Sequence, residues 1–264
     1  MPRCFFVYPT YPPPFVGGSV VYYAHVHQAF GRDDLVVMTA AAPGDAAFDA
    51  TLPYRVHRTR CMHWTRVTVP PWRKAIEMVC QFFLAWRLIR QERVQVIHVG
   101  QMYPDIVMGR LLARLTGRFC VVTVHAEELT VMPTVPRLRR HLVLRALRRA
   151  DRVVTVSAFT REVLIDHKVL PDRIVLIPPC ADPRKCDPAD VREPACAARL
   201  GTSRVLLTVG RLIRRKGQDK VLAALAKLVA NHPDLHYVMV GRGPDEERLR
   251  QMVADLALKE RVTF

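Results

Sequence analysis

No stretch of the 264 residues reaches the 18 or more apolar side chains that a membrane-crossing helix needs; even residues 78–89 are broken by Gln81 and Arg87. No CxxC pair occurs among Cys4, Cys61, Cys80, Cys120, Cys180, Cys186 and Cys196, which removes the thioredoxin-type redox motif and the usual zinc ribbons. Cys180, Cys186 and Cys196 are clustered, but no histidine completes a ligand set, so free thiols in a reducing compartment and no metal site are expected. The apolar run near the N-terminus is interrupted by prolines and has no small-residue cleavage site, so a cytoplasmic start is expected. No G-x-G-x-x-G fingerprint follows a strand, which argues against a nicotinamide enzyme. Acidic side chains are scarce too: 24 Asp and Glu face 40 Lys and Arg, a net charge of +16 and a pI near 10.1. That excess favours polyanions, whether nucleic acid, anionic lipid or a phosphorylated substrate.

What is present is a composition 50% hydrophobic and 24% charged, enough to bury a core. Short β-branched or aromatic runs at 5–8, 35–39, 54–58, 96–99, 120–124, 153–156 and 174–177 alternate with helical periods at 19–30, 72–92, 105–115, 135–149 and 158–167. Such alternation is the mark of βαβ units and a parallel sheet. Residues 178–199 hold five prolines and no sustained period beyond one short helical stretch near Ala195, and read as a linker. The rhythm restarts with strands at 205–209, 237–240 and 261–264 and helices at 218–230 and 245–256. The reading is therefore an α/β protein with two Rossmann-like domains: 1–177, a linker 178–200, and 201–264 as the first part of a second domain. Two complete strands and two helices cannot cover both faces of a parallel sheet, so the second domain reads as incomplete in this chain.

Three strand-to-helix turns carry candidate chemistry. In the first, Gly17-Gly18 lets a ligand approach the backbone and Ser19 is placed to cap the next helix, although a tight turn without ligand explains the glycines equally. In the second, Arg211 and Lys216 flank the run from Gly210 to Gly217 and can both reach an anion at the following helix N-terminus. The third, Gly241-Arg242-Gly243-Pro244, is followed by Asp245, Glu246 and Glu247, which suit a helix dipole and repel phosphate; it reads as structural, with at most backbone contact to a ligand. His125 ends a buried apolar strand, the end that faces the ligand crevice in open parallel sheets, and Ser157 reads as the cap of the helix beginning at Ala158.

In order and spacing these pieces resemble the retaining nucleotide-sugar glycosyltransferases of the two-domain GT-B fold, in the group that includes the phosphatidylinositol mannosyltransferases. The matching residues are Gly17-Gly18, Thr123-Val124-His125, the segment 150–157, Ile177-Pro178-Pro179 with Asp182, Val209-Gly210-Arg211 with Lys216-Gly217, and the segment 240–244. The resemblance implies transfer of a hexosyl unit from a nucleotide diphosphate sugar to a lipid or saccharide acceptor. It implies donor-phosphate contacts from Gly17, Gly18, Arg211 and Lys216, a sugar contact from the catalytic-site His125, nucleotide contact at Gly241 and Gly243, and neither a metal nor a further cofactor. Two departures stand out. Cys180-Ala181 replaces the family's Asn-Gly before a Val-Asp pair, and the family's paired glutamates lie downstream of anything present. A C-terminally truncated or non-catalytic relative is the expectation that follows.

Two other classes remain open. Residues 137–149 are expected to form an amphipathic, arginine-rich helix, suited to a basic module on an anionic membrane surface, at the inner face of a membrane where the acceptor is a lipid. A nucleotide-sugar epimerase would share the two-domain fold. No interleaving of aromatic and basic residues and no helix-turn-helix spacing supports nucleic acid as a partner.

Overall fold

The computed structural model describes residues 2–13, 17–62, 70–100, 103–130, 132–179 and 204–264. The chain divides into two compact units, Met1–Cys180 and Ala181–Phe264. Cys180, Cys186 and Cys196, the linker expected at 178–200 beyond Pro179, and the helix expected near Ala195 lie outside the described residues.

In the first unit, strands β1 (Cys4–Val7), β2 (Leu35–Ala40), β3 (Arg55–Thr59), β4 (Val96–Val99), β5 (Phe119–Val124), β6 (Arg152–Thr155) and β7 (Ile174–Leu176) form one sheet, in the order β3-β2-β1-β4-β5-β6-β7. Every pairing is parallel; Phe5, for example, lies beside Val36 on one side and Ile97 on the other. The helices are α1 (Gly18–His27), α2 (Asp45–Asp49), α3 (Pro71–Gln91), α4 (Asp105–Thr116), α5 (Glu127–Thr130), α6 (Arg137–Arg148) and α7 (Ala158–Asp166). Because side chains alternate across a strand, β1 feeds two cores. Phe5 and Val7 join Ala85 and Leu88 of α3, Ile106 and Leu112 of α4, and Val143 and Leu147 of α6. Cys4 and Phe6 face Val20 and Tyr23 of α1. Burying each large apolar side chain contributes about 1.5–3 kcal/mol, which is why this strand is continuous apolar sequence.

The strand order reverses between β1 and β4, and in open α/β sheets the carboxyl edge at such a switch point is where ligands bind. The loops that matter are therefore those after Val7, Val99 and Val124. Ser157 is the cap expected from sequence, its Oγ accepting from the Thr160 amide at 3.2 Å. Cys4, Cys61, Cys80 and Cys120 are free thiols; burial pushes Cys4 and Cys120 up to about 12, so neither is a nucleophile at neutral pH.

One buried polar pair in this layer was not visible in the helical periodicity. Gln81 Nε2 of α3 donates to Asp105 Oδ1 at 3.0 Å, while Asp105 Oδ2 and Gln81 Oε1 are buried with no partner. Burial raises the Asp105 carboxyl to about 7, against which the Gln81 hydrogen bond works only partly. A folded-state value above the unfolded one means that this group's contribution to stability is fully present below about pH 4, is lost progressively as pH rises to about 7, and stays lost above it. Asp105→Asn is therefore expected to gain stability relative to the parent, by roughly 2–3 kcal/mol more at pH 8 than at pH 5. Urea unfolding at the two pH values checks this; a pH-independent difference would contradict it.

The second unit places β8 (Arg204–Val209), β9 (Leu235–Val240) and β10 (Val262–Thr263) in a parallel sheet of order β10-β9-β8, with helices α8 (Gln218–Leu228) and α9 (Glu246–Asp255). Tyr237 and Met239 pack with Leu222, Leu225, Leu249 and Val253 of the two helices on one face. On the other face Leu207 and Val209 remain 61% and 71% exposed.

Candidate functional site

In the first unit the site is built on the switch-point edge. Gly17, at φ +96°, is the N-cap of α1, a conformation that excludes most side chains, and neither Gly17 nor Gly18 has an atom within 4 Å of where a Cβ would stand. Both are exposed, so their backbone is open to a ligand. Ser19 does not cap the helix as expected. The helix begins one residue earlier, and Ser19 Oγ instead bonds Tyr8 Oη at 2.8 Å, tying α1 to the end of β1.

His125 stands just past β5, its amide donating to Glu128 Oε2 at 3.0 Å. The half-buried ring lies edge-on to Tyr22 and Tyr23, with centroids 5.7 and 5.5 Å away. Its Nε2 is 3.0 Å from Tyr23 Oη, and Tyr23 Oη is 2.9 Å from the Gly100 carbonyl oxygen. A carbonyl only accepts, so the single Tyr23 proton goes to Gly100 and His125 Nε2–H must donate to the tyrosine. Burial lowers the His125 pKa, which keeps the ring neutral and leaves Nδ1 with its lone pair. Tyr23 stays protonated: burial first, then the Tyr8 and Glu128 charges, push it well above its ordinary value, while a hydrogen bond from Thr123 works the other way. Thr123 Oγ1 is also 2.7 Å from Nε2 of His98, a ring that burial lowers to about 4. His98, Thr123, Tyr23 and His125 thus form one neutral hydrogen-bonded chain across β4, β5 and α1. A second buried set, Tyr11 Oη with His27 Nδ1 at 2.9 Å and Tyr54 Oη at 2.6 Å, braces the other side of α1; burial lowers His27 to about 3. Of these residues sequence reading singled out His125 and, within the family match, Thr123. The signal it missed was the histidine within β4 beside the polar Thr123 in β5.

Tyr23→Phe removes the acceptor that fixes the His125 tautomer. A loss of about 1–2 kcal/mol in stability is expected, with the ring nitrogen shifts moving from one Nε2–H tautomer toward a mixture. Unchanged nitrogen-15 shifts would contradict the assignment.

In the second unit the residues gather at the carboxyl end of β8. The turn after Val209 contains a 3₁₀ turn, Arg214–Lys216, which was not read from the sequence, and Gly217 at φ +74° caps α8, whose start at Gln218 is where the sequence placed it. Lys216 folds back over the turn, its Cε 4.0 Å from where a Gly210 Cβ would stand. The Arg211 carbonyl is held by Nε2 of buried Gln218 at 3.1 Å. Arg211 and Lys216 are both exposed, and neither has an ion-pair partner among the described residues. The nearby acids are taken instead by Arg248, which makes a two-pronged contact with Asp245 at 2.6 and 2.6 Å and lies 3.8 Å from Asp219. The Arg248 bond holds the Asp245 carboxyl below its ordinary value. Arg211 and Lys216 are thus uncommitted, as is the exposed Arg214 between them, and the anion repulsion expected from Asp245 is offset by Arg248.

Gly241 and Gly243 have a packing reason. A Cβ at Gly241, where φ is +150°, would stand 1.9 Å from the Gly210 carbonyl oxygen, and one at Gly243 would stand 2.1 Å from that of Leu212. Three amide bonds zip the turns together: Gly210 to Val240 at 2.9 Å, Leu212 to Arg242 at 3.0 Å, and Asp245 to Leu212 at 3.1 Å. Among the described residues no group of three or more His, Cys, Asp and Glu side chains is placed to hold a metal ion.

Comparison with known proteins agrees with this geometry. Residues 16–185 match the family model described as Glycosyltransferase Family 4, and residues 196–264 match that described as Glycosyl transferases group 1. The chain is 29% identical to a GDP-mannose-dependent alpha-(1-6)-phosphatidylinositol monomannoside mannosyltransferase of Mycolicibacterium smegmatis, over 96% of this chain and 64% of that protein. It is 31% identical to the 2-deoxystreptamine glucosyltransferase of Streptomyces kanamyceticus, over 65% of this chain and 47% of that one. The chain thus spans less than two thirds of either relative. Among solved structures, Anabaena HepE in complex with UDP superposes with a TM-score of 0.74 at 17% identity, covering 99% of this chain and 68% of that one, which shows a shared GT-B fold.

Proposed function

From the premise that the chain belongs to Glycosyltransferase Family 4, we propose that it moves a hexosyl unit from a nucleotide diphosphate sugar to a hydroxyl of a lipid or saccharide acceptor, with retention of anomeric configuration. The observation that carries this reading is the pair of uncommitted cations, Arg211 and Lys216, at the carboxyl end of β8 while Arg248 occupies the neighbouring acids. Negative charge grows on a departing nucleotide diphosphate as the glycosidic bond breaks, and preplaced cations stabilise that state more than the ground state. Arginine binds a phosphate through paired N–H groups and lysine acts as a point charge. With those two serving the phosphates, no metal and no further cofactor enters the scheme.

In the first unit, the amides at Gly17 and Gly18 offer a further anion contact at a helix N-terminus. His125, neutral and with Nδ1 bare, accepts from a sugar hydroxyl rather than donating a proton. Gly241 and Gly243 contribute by letting the two turns of the second unit close on each other, with nucleotide contact through their backbone.

The test incubates the chain with GDP-mannose and with UDP-glucose, with and without a hydroxyl acceptor, and reads products by proton NMR. Release of nucleoside diphosphate with an α-linked product supports the reading. An epimerised free sugar nucleotide would assign the epimerase chemistry instead, and no turnover of either donor by a folded chain would count against transferase activity.

A further inference from the structure

Helix α6 carries a concentration of positive charge that the described residues only partly compensate. Residues 131–150 contain six arginines, one histidine and no acid. The first turn of α6 has no acidic residue, yet Arg137, Arg139 and Arg140 sit there, where the helix dipole disfavours cations. Arg137 with Arg140 and Arg145 with Arg148 are like charges at i,i+3, which destabilise a helix further. The inward face is fixed by buried Val143, Ala146 and Leu147, so the charges have no freedom to rotate away from one another.

Some of these arginines have partners. Arg139 stacks 4.2 Å over the Tyr103 ring, and Arg148 Nε donates to the His167 carbonyl at 2.8 Å. The side chains of Arg137 and Arg140 have no hydrogen bond or ion pair among the described residues. They line an open cleft of about 360 Å³ together with His141, Leu144 and Arg148. Beside the cleft, Leu138 is 72% and Leu142 40% exposed.

We propose that this cleft takes the phosphate of an anionic lipid headgroup, with Arg137, Arg140 and Arg148 around the phosphate and Leu138 and Leu142 in the acyl boundary. A bound phosphate removes the uncompensated repulsion, because guanidinium forks match its oxygens. The exposed leucines select the lipid over a free anion: they gain nothing from a soluble phosphate and bury apolar area at a bilayer. The proposal is independent of the transferase reading, since it concerns only where unit one meets a surface.

The test is flotation of the 264-residue chain with vesicles of phosphatidylcholine alone and of phosphatidylcholine with phosphatidylglycerol, at moderate salt. Three variants are compared: Arg137→Gln with Arg140→Gln, Leu138→Gln, and Arg32→Gln with Arg118→Gln, exposed positions outside α6 that remove the same two charges. Circular dichroism confirms that each is folded. Binding to the anionic vesicles is expected to exceed that to the neutral ones by tenfold or more, to fall about thirtyfold in the cleft variant at roughly 1 kcal/mol for each of its two basic residues, and to fall less than about threefold in the charge-matched control. Leu138→Gln is expected to weaken vesicle binding while leaving any inorganic phosphate titration unchanged. Equal losses in the two double variants would show that total charge and not the cleft attracts the surface, and would overturn the proposal. So would equal binding to both vesicle types, or saturable binding of inorganic phosphate with no vesicle binding.

Discussion

Arg211→Ala and Lys216→Ala are each expected to lower sugar transfer about 10²- to 10³-fold while leaving stability within about 0.5 kcal/mol of the parent. The combination follows from position. Both side chains are exposed and support no packing, so the fold does not need them. They sit at the end of β8 with no carboxylate to neutralise, so an anion arriving there meets two full charges that cost no reorganisation. Lys227→Ala on the exposed face of α8 removes a charge of the same sign and is expected to change transfer less than threefold. Steady-state rates for the three variants, alongside thermal melts, check this. A basic loop that merely solvates the chain would give three variants alike in both measurements.

Gly241→Ala is expected to destabilise the second unit by about 3 kcal/mol or more, the largest stability effect among the site positions. Its Cβ would stand 1.9 Å from a backbone oxygen, Gly210 O, and no rotamer change relieves contact with backbone. The φ of +150° adds strain for any L side chain. Gly18→Ala is the contrast: nothing lies within 4 Å of its Cβ and its φ is not positive, so a change under about 1 kcal/mol is expected. Hydrogen exchange across β8 and β9 reads the first effect directly. Parent-like protection in Gly241→Ala would mean that the two turns separate readily and that the glycine serves the ligand alone.

Much of this architecture was legible because buried parallel strands are continuous apolar runs, and β4 falls at the residues its sequence pattern marked, Val96–Val99. Boundaries moved where charge hides a strand end: Arg152 and Arg204 begin β6 and β8 and pair in the ladder although their side chains are not buried. Short elements escaped altogether, among them first α2 and second the 3₁₀ turn Arg214–Lys216. The second changes how the cations are presented, because it folds Lys216 back over Gly210 instead of extending it along α8. In the first unit His125 was marked by its place at a strand end and Thr123 by the family match, but Tyr23 and His98 were not. Tyr23, His98 and Thr123 come from three elements separated by up to 100 residues, and only the register of β4 beside β5 and the seating of α1 bring them together. Asp105 was hidden for a related reason: a polar residue in the first turn of a helix reads as a solvated dipole partner, whereas α3 covers it with Gln81.

The central claim is that the turn after β8 is built to hold a nucleoside diphosphate. Calorimetric titration of GDP and UDP into the chain and into the Arg211→Ala, Lys216→Ala double variant tests it most directly, with the corresponding monophosphates as the comparison. A saturable heat for at least one diphosphate, weaker by tenfold or more for its monophosphate and lost in the double variant, is the predicted result. Equal binding of diphosphate by parent and double variant, with both folded, would contradict it.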